Sequence, residues 1–147
     1  AVAVDAFAGV SNLSLLAEIP SRATVLDLGS GAGLDSIIAA GRVGPQGQVL
    51  AVDFSSAMLS SMEQAVLESG ATNIKIFHSD AESLPLEDLS VDVALVNGIF
   101  NLNPERSKIF IELARVVKPG GCVFAAELVL REAGSEKVEP TPENWFA

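Results

Sequence analysis

Three short apolar runs carry a carboxylate at or near their ends. Asp27 lies in residues 24–28, Asp53 closes residues 48–52, and Asp80 follows residues 74–78 after Ser79. Between the first two acids stands Gly29-Ser30-Gly31-Ala32-Gly33. Glycines spaced in this way let backbone N–H groups approach a ligand, because glycine takes positive φ without a steric penalty. Asp53 comes 20 residues after Gly33. An acid at that place presents two oxygens to the two hydroxyls of a ribose. Phe54 could cover one face of an adenine, Asp80 could accept from its amino group, and the Ala81 N–H could reach a ring nitrogen.

The charge of the ligand follows from Asp27. A carboxylate two residues before the first glycine repels a pyrophosphate and attracts a cation. The dinucleotide fingerprint G-x-G-x-x-G also fails, since Leu34 holds its last position and Gly33 falls one residue early. An adenosine with a cationic amino-acid tail and no phosphate is S-adenosylmethionine. Asp27, Gly29, Ser30, Gly31, Gly33, Asp35, Asp53, Phe54, Asp80, Ala81 and Asn97 are the expected cofactor-binding residues. Asn97 to Leu102 should face the methyl group, with Gly98, Asn101 and Leu102 toward the acceptor. No side chain stands out as a catalytic base, and no metal site is expected.

Plainer readings stand beside these. Each Asp could cap a helix or a turn. Asp35, in the first turn of a helix, could serve the helix dipole or bond toward the amino-acid end of the cofactor. His78, the single histidine, is expected to be a buried strand residue rather than a base. Cys122 is expected to be a small buried residue. Met58 and Met62 are expected in the core, and the acidic run from Asp80 to Asp88 is expected to be a solvated loop.

The elements that must place these residues follow from the hydrophobic rhythm. Residues 1–23 predict one or two short helices. Apolar runs then alternate with amphipathic stretches, the pattern of βα units and a parallel sheet. Strands are predicted at 24–28, 48–52, 74–78, 91–96 and 123–130. Leu34, Ile37, Ile38 and Ala40 predict the buried face of one helix. Met58, Leu59, Met62, Ala65 and Val66 predict that of the next, capped by Ser55 or Ser56 and stopped by Gly70. Asn103-Pro104-Glu105 should open a third helix, with Ile109, Phe110, Leu113, Val116 and Val117 inward and Pro119-Gly120-Gly121 ending it. In such a sheet, ligands bind beyond the carboxyl ends of the strands, where the three acids fall.

With 147 residues, a net charge of −10 and 49% hydrophobic residues, the chain is one folded domain. The acid excess argues against tracking nucleic-acid phosphates or docking on anionic lipid. One cysteine excludes an internal disulfide, and a reducing, cytoplasmic compartment is the expectation. The partner expected is a small-molecule acceptor, with no nucleic acid and no membrane; the oligomeric state is open.

Four segments in order carry a resemblance. Val25-Leu26-Asp27-Leu28-Gly29-Ser30-Gly31-Ala32-Gly33, Leu50-Ala51-Val52-Asp53-Phe54-Ser55, the stretch from Leu113 with Arg115, and Lys118-Pro119-Gly120-Gly121 resemble the motifs of class I SAM-dependent methyltransferases. The resemblance implies a Rossmann-like, doubly wound parallel sheet, and methyl transfer from S-adenosylmethionine by in-line displacement. That family has seven strands, so it also implies that the last two are absent after the fifth. The expected organisation is residues 1–23 as a helical segment, 24–131 as the SAM-binding core, and 132–147 as a tail, with Trp145 and Phe146, leading into a missing part. Gly31-Ala32-Gly33-Leu34-Asp35, Val43-Gly44-Pro45-Gln46-Gly47 and residues 97–106 resemble the arsenite methyltransferase branch. That branch binds arsenic through thiolates, one at the place of Gly98 and one near residues 9–12, and neither place holds Cys here. Two alternatives remain: a noncatalytic SAM-binding domain, and a nicotinamide-dependent oxidoreductase, against which Leu34 speaks.

Overall fold

The computed structural model describes residues 2–129. The elements in chain order are α1 (Val2–Asp5), α2 (Leu13–Leu16), β1 (Thr24–Leu28), α3 (Leu34–Val43), β2 (Gln48–Asp53), α4 (Ser56–Ser69), β3 (Ile74–His78), β4 (Val91–Asn97), α5 (Arg106–Val116) and β5 (Val117–Ala126). The strands form one sheet in the order β3-β2-β1-β4-β5, and every pairing is parallel. Strand order reverses between β1 and β4, which opens a crevice at the carboxyl ends of those two strands.

Helices cover both faces because the central strands are apolar on both. Leu26, Leu28, Val52 and Val96 pack with Ile109, Leu113 and Val116 of α5. Val25, Val49, Val93 and Leu95 pack on the other face with Ala39, Ala40 and Val43 of α3 and with Leu13 and Ala17. Ala51, Leu59 and Met62 fix α4 beside them. Ser55 caps α4 by accepting from the Met58 N–H, and Gly70 ends it in the left-handed conformation.

Several expectations need correction. The buried side of α3 carries Asp35 and Ser36 beside Ala39, Ala40 and Val43, while Leu34, Ile37 and Ile38 are half-buried. Polar groups displace apolar ones there because they bond to the strand ends. β5 begins at Val117, six residues early, and residues 118–121 bulge out of register between Val91 and Val93. α5 begins at Arg106, because Asn103 accepts from the Glu105 N–H and closes a turn before the helix. Phe110 is exposed, though it stacks on Phe100 at 4.6 Å, and Met58 is 39% exposed. Cys122 and His78 are exposed because β5 and β3 are the edge strands among the described residues. Leu130 and the tail with Trp145 and Phe146 lie outside the described residues.

Candidate functional site

The turn after β1 is fixed by its own backbone. The N–H groups of Gly29 and Ser30 donate to Val52 O at 2.8 and 3.0 Å. Gly29, Gly31 and Gly33 all have positive φ, but they answer different needs. A Cβ on Gly29 would lie 2.4 Å from Ile99 Cγ2, and one on Gly33 would lie 2.8 Å from Met62 Cγ. One on Gly31 would meet nothing within 4 Å. Two glycines therefore fit the loop to its own protein, and the third leaves the backbone open to a visitor. Ser30 is buried, with its hydroxyl on Met62 Sδ.

Asp53 closes β2 and is buried. Its Oδ2 accepts from the Gly31 N–H at 2.8 Å and its Oδ1 from the Ser55 N–H at 2.8 Å. One carboxylate thus joins the glycine loop to the start of α4. Each oxygen keeps a lone pair, enough to accept both hydroxyls of a ribose. Phe54 beside it is an apolar ring 73% exposed. Asp80 stands exposed at the end of β3 with no hydrogen bond on its carboxylate among the described residues, and Ala81 is half-buried next to it.

Asp27 departs from the expected rim. It is buried within β1 and accepts from the Ser36 hydroxyl of α3. Burial raises its pKa to about 7; the Ser36 bond opposes the rise and the charges of Asp35 and Asp53 add to it. Asp27 therefore joins β1 to α3 beneath the loop, and only part of the population carries its charge at neutral pH.

Asp35 and Asn97 meet each other rather than open space. Asn97 Nδ2 donates to Asp35 Oδ2 and to Ser11 O, both at 2.8 Å, while its Oδ1 accepts from the N–H groups of Val10 at 2.8 Å and Ser11 at 3.4 Å. Asp35 Oδ1 accepts from the Ser14 N–H at 3.0 Å. The amide of Asn97 thus spends its hydrogen-bonding capacity on the N-terminal segment and on Asp35. A Cβ on Gly98 would stand 3.2 Å from Val10 Cγ2, and one on Gly9 would stand 2.5 Å from Asn97 Nδ2. The two places where the arsenite branch would carry thiols are therefore adjacent, and neither has sulfur. Cys122 pairs with Val93, four residues before Asn97, about 13 Å from the strand ends at ~3.3 Å per residue.

Beyond β4, Asn101 donates to Leu128 O and the Phe100 N–H donates to Glu127 Oε1. Leu102, Leu128 and Val129 are exposed. His78 bonds Phe54 O through Nε2 at 2.8 Å and stands on β3, at the opposite end of the strand order from β5. Among the described residues no cluster of three or more His, Cys, Asp or Glu could hold a metal, and no helix is long and apolar enough to cross a membrane.

Sequence reasoning missed three supports. Arg42 donates to Ser14 O and Ala17 O and fastens α2 to α3. Asn73 Nδ2 approaches the carbonyls of Ala40, Gly44 and Gly47. Arg115 donates to Leu84 O, Leu86 O and Asp88 and pairs with Glu112, which accepts from the Leu84 N–H. The acidic stretch after Asp80 is therefore clamped with Leu84 buried, not loose in solvent. The Arg115 bond holds the Glu112 carboxyl below its ordinary range. Only Arg115 had a sequence signal, its place in the stretch before Pro119.

Residues 19–146 match a family described as a methyltransferase domain. The arsenite methyltransferase of Halobacterium salinarum is 36% identical over 136 residues, covering 92% of this chain and 35% of that protein. The demethylmenaquinone methyltransferase of Bacillus pumilus is 36% identical over 113 residues, covering 76% of this chain and 48% of that protein. The crystal structure of an arsenic(III) S-adenosylmethionine methyltransferase from Chlamydomonas reinhardtii aligns with a TM-score of 0.74 at 32% identity, over 81% of this chain and 42% of that one. The chain thus spans between about a third and a half of the length of these relatives.

Proposed function

The chain belongs to the methyltransferase domain family, and on that premise we propose that it binds S-adenosylmethionine in the crevice between β1 and β4 and moves its methyl group to a small-molecule acceptor. The observation that carries this reading is Asp53. Its buried carboxylate holds the loop at the Gly31 N–H and keeps acceptor capacity for a ribose, beside the one loop glycine whose Cβ position is empty.

The residues present fit this cofactor. Asp53 would hold the ribose, Phe54 would lie on the adenine, and Asp80 with the Ala81 N–H would meet its edge. Ser30, Gly29, Gly31 and Gly33 would form the turn beneath the amino-acid end. Asp27 would act one layer down, by holding α3 to β1, and Asp35 with Asn97 through the N-terminal segment they bind. When bound, the cofactor would supply an electrophilic methyl on a sulfonium, open to in-line displacement by an acceptor lone pair. The chain's part is to place donor and acceptor at near-attack distance. No base is assigned.

Gly98, Asn101 and Leu102 would face the acceptor. Without sulfur at Gly98 or at residues 9–12, the acceptor we infer is not held by thiolates, since a soft metalloid needs soft ligands. Isothermal titration of the chain with S-adenosylmethionine and with NAD tests the reading. Binding of the methyl donor alone is expected, and preference for NAD would overturn it. A donor-binding domain without transfer is the second reading, favoured by the same lack of thiols in the acceptor face. Donor binding without turnover across an acceptor panel that includes arsenite and quinones would select it.

A further inference from the structure

Met62 lies against the glycine loop from the side of α4. Leu59 and Met62, neighbours on one helix face, pack with Ala51 of β2, and Met62 is fully buried. A Cβ on Gly33 would lie 2.8 Å from its Cγ, 3.2 Å from its Cε and 3.4 Å from its Sδ. The thioether is therefore pressed to the loop, and its sulfur accepts from the Ser30 hydroxyl at 3.6 Å. A leucine could occupy similar space, but it could not take that proton. A thioether accepts weakly and never donates.

This bond fixes what Ser30 can offer a ligand. The Ser30 N–H donates to Val52 O at 3.0 Å, and the Ser30 carbonyl accepts from the Gly33 N–H at 2.9 Å. Its hydroxyl carries one proton and two lone pairs, and the proton is committed to Met62. Ser30 therefore has nothing left to donate, and its Oγ can only accept. The adjoining N–H groups of Gly29 and Gly31 are committed too, to Val52 O and to Asp53 Oδ2. A ligand group that meets Ser30 must bring its own proton. At the amino-acid end of the methyl donor, the ammonium has three protons to give and the carboxylate has none.

We propose that Met62 is a positioning residue for donor recognition: by taking the Ser30 hydroxyl proton, it turns Ser30 Oγ into an acceptor for the ammonium of the donor's amino-acid end. This rests on the reading of the glycine loop as the donor site. Ser30 keeps 8% of its surface exposed against 2% for Asp27, so of the two polar side chains it has more surface left to meet a ligand. Selection for a cationic group then comes from an oriented neutral oxygen at the loop, with the Asp27 carboxylate behind it on Ser36.

The test titrates the whole chain calorimetrically with two ligands. One is S-adenosylhomocysteine, the demethylated form of the cofactor, and the other is its deamino analogue, with hydrogen in place of the ammonium. The variants are Ser30→Ala, Met62→Leu and the two combined; Met62→Leu keeps the volume, a kind of swap that cores usually tolerate, and Met62→Ile replaces it if the leucine variant does not fold. Ser30→Ala should weaken S-adenosylhomocysteine about tenfold, the value of one hydrogen bond to a charged group, and the deamino analogue by less than twofold. Met62→Leu frees the hydroxyl to rotate, and should weaken S-adenosylhomocysteine about threefold and leave the analogue within twofold. In the Ser30→Ala background, Met62→Leu should cause no further loss beyond twofold. Equal losses for the two ligands would make Met62 a packing residue only and would overturn the proposal. So would a Met62→Leu effect that persists undiminished without the Ser30 hydroxyl, or no effect of Met62→Leu on either ligand. If the unaltered chain binds neither ligand, the donor-site reading falls and this proposal with it; binding without the pattern above removes the proposal alone.

Discussion

The carboxyl ends of β1 and β2 and those of β4 and β5 are built on different terms. At the first pair, the polar side chains are buried and bonded: Asp53 to the Gly31 and Ser55 N–H groups, Asp27 to the Ser36 hydroxyl, and the Ser30 hydroxyl to Met62 Sδ. At the second pair, Leu102, Leu128 and Val129 are exposed, and the ordering bonds run from Asn101 and Glu127 to main chain. On the proposed reading, the first region is shaped for its ligand before one arrives, and preorganisation of that kind lowers the cost of binding. The second exposes apolar side chains among the described residues. The difference teaches that the β1–β2 end is braced by buried side chains, whereas the β4–β5 end leaves apolar side chains exposed among the described residues.

Substitutions can break or sharpen that contrast. The largest effect is expected from Asp53→Ala, which removes the acceptor for the loop N–H and for the ribose. Hydrogen bonds to a charged group contribute about 1.5–3 kcal/mol each, so two of them correspond to a loss of S-adenosylmethionine affinity of about a hundredfold or more. Unchanged affinity in isothermal titration would dismantle the donor half of the comparison.

Next comes Asp27→Asn. Asp27 has a raised pKa, so between about pH 4 and about pH 7 the folded chain holds a proton that the unfolded chain has released. Stability should therefore fall as pH rises through that window, with a slope of up to about 1.4 kcal/mol per pH unit. Asn keeps an acceptor for Ser36 and removes the titration. Urea unfolding at intervals from pH 4 to pH 8 should show the slope in the native chain and its loss in the variant; equal slopes would mean that Asp27 is not the group responsible.

Ser55→Ala should cost about 1 kcal/mol of stability through the lost helix cap, readable as a lower midpoint in the same titration. The smallest effect belongs to the other region. Leu102→Ser should leave donor affinity within about twofold, as exposed substitutions usually do, while altering the KM of whatever acceptor is turned over. A large change in donor affinity there would show that the two regions are not separable.

The parts of this fold that could be read from sequence are those where chemistry is local. The strands β1 to β4 declare themselves as apolar runs, and Ser55 and Gly70 mark α4 because caps depend on single residues. α3 misled because its polar face is the buried one: Asp35 bonds Ser14 and Asn97, 21 and 62 residues away. No window of sequence contains such partners. β5 misled because Gly120 and Gly121 read as a stop, when they permit a bulge within a continuing strand. Cys122 and His78 were placed inward because periodicity reports a strand and not its position at an edge. The glycine loop was legible as a turn. That Gly29 and Gly33 serve Ile99 and Met62, while Gly31 faces empty space, required three dimensions.

Gly9 and Gly98 set a clearance. With a side chain at neither place, the N-terminal chain lies close enough for one asparagine to reach it. Any larger residue at either position acts as a wedge: at 9 it collides with the Asn97 amide, and at 98 it meets Val10 from a backbone shape that disfavours a side chain. Thiols therefore cannot be grafted back at these two points one residue at a time. For a side chain at either point, the gap would have to widen and the asparagine give up its grip.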